Sequence, residues 1–452
     1  MPIAAVPAYL GKNFKDASPG MRFGMYLCLW GVNRRTQTLL WDTHDIDYEL
    51  RGQNQQECEV KYENKVSALS DAKRLNDNDQ KTMQALLARQ KQAFDAVATT
   101  DATLRLEALA TAPFTTGLGN EHPLENGFAF LNPYGLPYLP GSGIKGVLRQ
   151  AARELASGDW GDAHGWSENK PYPLMQGKGE KRRPVLEKNK QPVMLSMLDA
   201  LFGREPANGD TEHLRGALVF WDVIPQIAGD SLTVEIMTPH QSHYYQEKQD
   251  PKAGNSITPH DSGQPNPISF LTVPPNSGFV FHVQCNLAHL ERIAPELSAN
   301  SHWKDLIEAA FSHAFKWLGF GAKTAVGYGA MDEDAAAKER TAQRKRETAE
   351  QLRREEEIQA YQEALTKMPP AERAIREFLD GRKDKNQAEL SALLGGLKLG
   401  TWSGELKTEI ARHVQTLMRS AKKWKERSEK KNPDKDHDYQ DTLAVLKHLS
   451  DP

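Results

Sequence analysis

Residues Gly319–Gly329 read GFGAKTAVGYG. Four glycines in eleven residues lose much conformational entropy on folding, which is tolerated where backbone must take positive φ or pass close to another group. Lys323 projects from the middle of the stretch, Thr324 follows it, and Phe320 and Tyr328 are placed to stack or to pack. Ala322 occupies the position where a Walker loop has glycine before its lysine, and Thr324 stands where a dinucleotide fingerprint has its third glycine. Two readings remain. The stretch is a tight helix-to-strand turn, or it is a loop that meets phosphate through Gly319, Gly321, Lys323, Thr324, Gly327, Tyr328 and Gly329.

Immediately upstream, Trp303, Leu306, Ile307, Ala310, Phe311, Ala314 and Leu318 fall on one helical stripe, which predicts a helix over 302–318. A second glycine bend lies at Asn132–Leu155, NPYGLPYLPGSGIKGVLRQAAREL. A strand-like stretch runs into Pro140, then Gly141-Ser142-Gly143, then a predicted helix over 144–156. Ile144, Val147, Leu148, Ala151, Ala152 and Leu155 give that helix a buried face, while Lys145, Arg149 and Arg153 stack a cationic stripe beside it. Free N–H groups and a positive dipole end at such a helix start favour an anion. A plain strand–turn–helix connection with solvated cations fits the same residues.

Strand-like runs recur around these bends at Gly127–Leu131, Ala217–Ile224, Leu232–Met237 and Gly278–Val283. Together with the two helices they predict an α+β sheet with helices on one face. Residues 60–110 are rich in Ala, Leu, Lys, Gln and Asp and read as a helical insertion; Met21–Trp30 reads as a short strand or a buried helical turn. Gly158–Gln191, which holds Lys181, Arg182 and Arg183, and Gln246–Asn266 read as long surface loops. Past Met331 the strand signal stops. The expected organisation is 1–59 as the N-terminal part of the core, 60–110 as the insertion and 111–331 as the core with both bends. A solvated helical arm at 332–368, with a Glu350–Arg354 pair, and a small helical module at 369–452 complete it.

The net charge of −3 in 452 residues excludes a uniformly basic nucleic-acid binder and leaves room only for local cationic patches. Cys28, Cys58 and Cys285 are far apart, so neither a disulfide framework nor a zinc site is expected. No stretch reaches the ~18 apolar residues of a membrane helix, and the chain reads as cytoplasmic.

The pattern Gly-hydrophobic-Gly, five residues, Gly-hydrophobic-Gly at 319–329 resembles the glycine-rich signature of the RAMP superfamily of CRISPR proteins. Leu136–Arg149 is similar to that superfamily's loop–helix hallmark, with Gly143 in place of the usual second serine. Gly117–Gly119, Glu125–Gly127, Leu201–Gly203, Gly216–Asp222, Ile236–Tyr245 and Pro267–Val273 resemble, in order, the family of sixth subunits of type III-B Cmr complexes. That resemblance covers 111–331. It implies a modified ferredoxin-like (RRM-like) βαββαβ core that binds CRISPR RNA by its backbone. It also implies a place near the guide's 3′ part, among backbone RAMP subunits and the first subunit, where complementary target RNA is bound. Catalysis and cofactors are assigned by it to other subunits, and Thr238, Pro239, His240 and His243 become candidate RNA or subunit contacts.

Three other chemistries compete. His240-x-x-His243 has metal-like spacing but no third ligand in register. A metal-independent RAMP endoribonuclease would need a histidine as general acid or base, with His122, His240 and His243 as candidates. A protein-recruiting scaffold would use the C-terminal helices, where Arg419–Lys431 (RSAKKWKERSEKK) has seven basic residues, two acids and Trp424. That run reads either as a solvated helix face or as a holder of single-stranded RNA.

Overall fold

The computed structural model describes residues 2–97, 101–176, 183–186, 190–206, 213–239, 242–245, 265 and 267–449. It divides into two compact units, Met1–Glu339 and Arg340–Pro452. In the first, α1 (Pro19–Phe23) takes in the start of the Met21–Trp30 run that read as strand or helical turn, and the rest of that run is turn up to Trp30, which bridges to Ile3. An antiparallel hairpin follows, β1 (His44–Arg51) with β2 (Gln56–Glu63), then α2 (Lys65–Ala72) and α3 (Asp77–Val97).

The 60–110 stretch is therefore not helical throughout. It opens on the end of β2 and closes on β3 (Thr103–Ala110), the next-to-edge strand of the main sheet. Its composition favours helix, yet Leu104, Leu106, Ala108 and Ala110 alternate with Thr103, Arg105, Glu107 and Leu109. Burial on one face of a sheet outweighs the helical propensity of Leu, Glu and Ala.

From β3 the chain passes through α4 (Gly141–Ser157), β4 (Leu218–Phe220), a hairpin of β5 (Thr233–Met237) and β6 (Ile268–Thr272), then β7 (Gly278–Cys285), α5 (His302–His313) and β8 (Met331–Glu333). The four main strands lie in the order β4-β7-β3-β8, all neighbours antiparallel. Leu106 pairs with Phe281 and Ala108 with Phe279, so the two strands present one apolar surface. Phe281 meets the rings of Phe311, Phe315 and Phe320 at 5.1–5.9 Å, and α5 buries Trp303, Leu306, Ile307 and Ala310 completely. Ile144, Leu148, Ala151 and Ala152 of α4 join the same cluster. Each buried Leu, Ile or Phe of this cluster contributes roughly 1.5–3 kcal/mol of transfer free energy.

The opposite sheet face is covered as well. His282, one residue on from Phe281, lies 4.4 Å from the ring of Phe94 on α3, and Trp221 lies 5.6 Å from that ring. Gln90 donates to the carbonyl of Asp222 at 2.6 Å, fixing α3 beside the segment that leaves β4. The expected strand over 217–224 ends early because Asp222 turns toward α4, and the expected strand at 127–131 reduces to Phe130–Leu131. The Gln246–Asn266 stretch lies outside the described residues apart from Pro265.

The sheet ends at Glu333, two residues beyond the expected limit of the core. The helix α6 (Ala335–Lys367) then carries i,i+4 pairs such as Glu350–Arg354 at 2.7 Å and Arg353–Glu357 at 3.1 Å. In the second unit α7 (Pro370–Asp380), α8 (Glu389–Leu399), α9 (Gly404–Ser420) and α10 (His437–Leu449) enclose their own core of Ile375, Leu393, Leu397, Trp402, Ile410, Val414 and Val445.

Candidate nucleic-acid interface

The α5 helix does not end at His313. It continues as one wide i→i+5 turn, Ala314–Leu318, closed by Gly319 N donating to Ala314 O at 2.8 Å. Gly319, Gly321, Gly327 and Gly329 all have positive φ, and so does Lys323 at 59°. Two of these glycines answer to close approach as well. A Cβ on Gly329 would sit 1.8 Å from the Phe320 carbonyl oxygen, and one on Gly321 would sit 2.3 Å from that of Thr115. The backbone closes on itself there: Phe320 N donates to Gly329 O, Ala322 N to Thr115 O and Gly329 N to Pro113 O, at 2.8–2.9 Å.

What the loop leaves open is its tip. Among the described residues, the amides of Lys323, Thr324 and Ala325 have no acceptor within the chain. Ala325, Val326 and Gly327 are exposed. The Lys323 ammonium lies 2.8 Å from Met237 Sδ and 5.5 Å from the Phe270 ring centroid, so it rests against the β5–β6 hairpin without a carboxylate partner among the described residues. Tyr328 is half-buried 5.6 Å from Phe270; burial, and then the nearby Glu235, raise its phenol above the ordinary pKa. Phe320 is fully buried and belongs to the core.

The other bend is different. Gly141 packs against the backbone of Phe220 on β4, where a Cβ would meet the carbonyl oxygen at 2.2 Å. Its amide donates to Asp222 Oδ1 at 2.7 Å, so a carboxylate already caps the start of α4. Gly143 N and Ile144 N return to Pro140 O. Among the described residues, the amide of exposed Ser142 and the half-buried Lys145 have no partner. Arg149 is committed: its guanidinium pairs with Glu205 and donates to Gly203 O at 3.3 Å.

The Gly141–Gly143 turn thus packs against one edge strand, β4, and the 319–329 loop leads into the other, β8, so the two bends lie at opposite edges of one sheet. Exposed Thr238 and Pro239 extend from Met237 and so lie beside Lys323 in the fold. Lys181, Arg182 and His240 lie outside the described residues, as does the side chain of His243, whose backbone is in the short helix Ser242–Tyr245. Arg183 is exposed in a two-residue ladder with Gln176. Asp222, Met237 and Phe270 lie in segments that carry the family resemblance, but their parts here, like that of Glu205, come from long-range contacts and were not singled out in the sequence.

His122 is unsuited to general acid–base work. Its Nε2 is bonded to Phe23 O at 2.8 Å, its Nδ1 accepts from Leu124 N at 3.1 Å, and its ring stacks on Phe23 at 3.8 Å. Burial lowers its pKa. Among the described residues no cluster of three His, Cys, Asp or Glu side chains is arranged to hold a metal, and no helix is long and apolar enough to cross a membrane.

A family model for the RAMP superfamily matches residues 108–332. The chain is 30% identical over 244 residues to the CRISPR system Cmr subunit Cmr6 of Pyrococcus furiosus, covering 48% of this chain and 64% of that protein. It thus spans just under two thirds of that relative. Among solved structures, the crystal structure of Cmr6 from Pyrococcus furiosus is 26% identical over 51% of this chain and 97% of that one, with a TM-score of 0.25. A chain of the type III-B Cmr-beta complex bound to cognate target RNA is 17% identical over 60% of this chain and 70% of that one, with a TM-score of 0.37.

Proposed function

We propose, from the match of the RAMP superfamily model to residues 108–332, that this chain is a non-catalytic CRISPR RNA-binding subunit of a type III-B Cmr effector complex. We read the order β3-α4-β4-β7-α5-β8 as its modified ferredoxin-like core and the helices after Glu333 as an extension. The observation that carries the reading is the tip of the 319–329 loop. Among the described residues, three main-chain amides without acceptors stand beside a lysine that no carboxylate neutralises, on a backbone that turns through four positive-φ glycines and is closed by its own hydrogen bonds. Fixed N–H donors next to a cation suit a phosphate oxygen, and they distinguish no base.

The Gly141–Gly143 turn has a smaller part than its sequence indicates, because Asp222 occupies one amide and Glu205 engages Arg149. Lys145 and the Ser142 amide are what that turn adds. In the assembled particle the chain would lie near the 3′ part of the guide, against backbone subunits and the first subunit, and support target RNA binding in cytoplasmic antiviral defence. Lys323→Ala and Lys145→Ala should each weaken binding of unrelated single-stranded RNAs several-fold and lower the salt dependence by about 0.7 in log–log slope, one phosphate contact each. If both variants bind as wild type does at every salt concentration, the assignment fails.

A further inference from the structure

Residues Arg419–Lys435 of the C-terminal unit hold eight basic and three acidic side chains, in a chain whose net charge is −3. They are not the solvated helix face that the sequence allows, because α9 stops at Ser420 and the rest is a folded loop. Lys422 adopts φ 58°, and the amides of Lys422 and Lys423 return to Arg419 O and Met418 O to close the helix. Buried Asp436 then gathers the loop. It accepts from Ser428 Oγ and Glu429 N at 3.3 Å and lies 3.7 Å from Lys425 Nζ. Lys425 N donates to buried Thr442 Oγ1 at 3.1 Å, and the Asn432 side chain caps the turn at Pro433–Lys435.

Holding so many cations in one conformation works against their mutual repulsion. The loop nonetheless displays Lys422, Lys423, Arg427, Lys431 and Lys435 in solvent, and among the described residues none of these five has a carboxylate partner. Two of the three acids are already engaged, Glu429 by Lys425 and Glu426 by the indole N–H of Trp424. Trp424 packs on the unit's apolar core while part of its ring stays accessible, with the Arg419 guanidinium 5.5 Å from the ring centroid.

We propose that Arg419–Lys435 is a second binding site for single-stranded RNA, separate from the glycine loops. Its unpaired cations follow the phosphates, and the accessible part of Trp424 meets a base. The proposal rests on the reading that this chain handles RNA. An acidic protein partner fits less well, because protein interfaces centre on exposed apolar side chains. Within the loop itself, residues 419–435, no large apolar side chain is exposed; the exposed Leu399 and Leu443 lie outside it.

The test uses the full chain and a labelled 20-nucleotide oligouridylate, with Kd from fluorescence anisotropy over a range of KCl. A quadruple variant (Lys422→Asn, Lys423→Gln, Arg427→Gln, Lys431→Gln) removes four exposed charges, and Asn tolerates the left-handed backbone at 422. Its Kd is expected to rise at least tenfold at low salt, and its log–log salt slope to fall by about 2–3. A charge-keeping set (Lys422→Arg, Lys423→Arg, Arg427→Lys, Lys431→Arg) is expected to stay within about twofold of wild type. Wild-type affinity and slope in the quadruple variant, or equal loss in the charge-keeping set, overturns the proposal. Lys145→Ala/Lys323→Ala is measured in parallel. An effect of the quadruple variant without one from this pair upholds the second site and sinks the glycine-loop reading, and the reverse pattern does the opposite.

Discussion

Gly321 and Gly327 offer a matched pair of substitutions. They share nearly the same φ, 94° and 93°, but have opposite surroundings. A Cβ on Gly327 meets nothing within 4 Å, whereas one on Gly321 falls 2.3 Å from Thr115 O and 2.7 Å from the Phe114 ring. Gly327→Ala should therefore cost only the conformational term, about 1–3 kcal/mol for an L-residue in that region. Gly321→Ala carries the same term and must also push Thr115, which is fully buried, by about an ångström. That shift breaks the 2.8 Å bond from Ala322 N to Thr115 O and leaves a buried polar group unpaired, a further 2–4 kcal/mol or so. For a unit of this size the difference corresponds to a melting temperature roughly 3–6 °C lower in Gly321→Ala than in Gly327→Ala. Near-ultraviolet circular dichroism of each variant measures it, with the transition of the first unit separated from that of the second. Equal losses in the two variants would show that close approach is not what selects glycine at 321.

Three further outcomes follow from other contacts. His282 is buried with both ring nitrogens unpartnered among the described residues, and its pKa is lowered to about 4 by burial, with Arg105 adding to the effect. Its folded value lies below that of the unfolded chain, so stability is complete above pH 6.5 and about 3 kcal/mol is lost as pH falls toward 4. His282→Leu should flatten urea-unfolding free energies across that window, and an unchanged pH profile would count against this. His122→Ala should lower core stability by about 2–3 kcal/mol without creating or removing RNA cleavage; discrete cleavage of repeat RNA lost in this variant would restore the nuclease reading. For the C-terminal loop, Asp436→Ala should loosen the cation array and raise Kd for oligouridylate severalfold, and no change in Kd would mean that the gathered conformation has no bearing on binding.

Much of the core was legible because periodicity is local. The stripe from Trp303 to Leu318 and the apolar, strand-like run Gly278–Val283 each produced the expected element. The density of glycines at 319–329 correctly signalled positive φ and close approach. Thr103–Ala110 misled because its composition is helical and only its burial in the sheet makes it a strand. The site was less legible for a related reason. Arg149 and Lys145 look equivalent on a helical wheel, yet one faces Glu205, 56 residues away, and the other faces no carboxylate among the described residues. Asp222 likewise reaches Gly141 across 81 residues. Pairings at that range depend on strand order, which composition and spacing do not encode.

Hydrogen exchange of the full chain with and without single-stranded guide RNA tests the central claim most directly. Among the described residues the amides of Lys323, Thr324 and Ala325 have no acceptor, and they should exchange rapidly in the free protein. Saturating RNA should slow them at least tenfold if phosphate oxygens become their acceptors. Unchanged exchange at these three amides, with RNA bound as judged by anisotropy, would contradict the account.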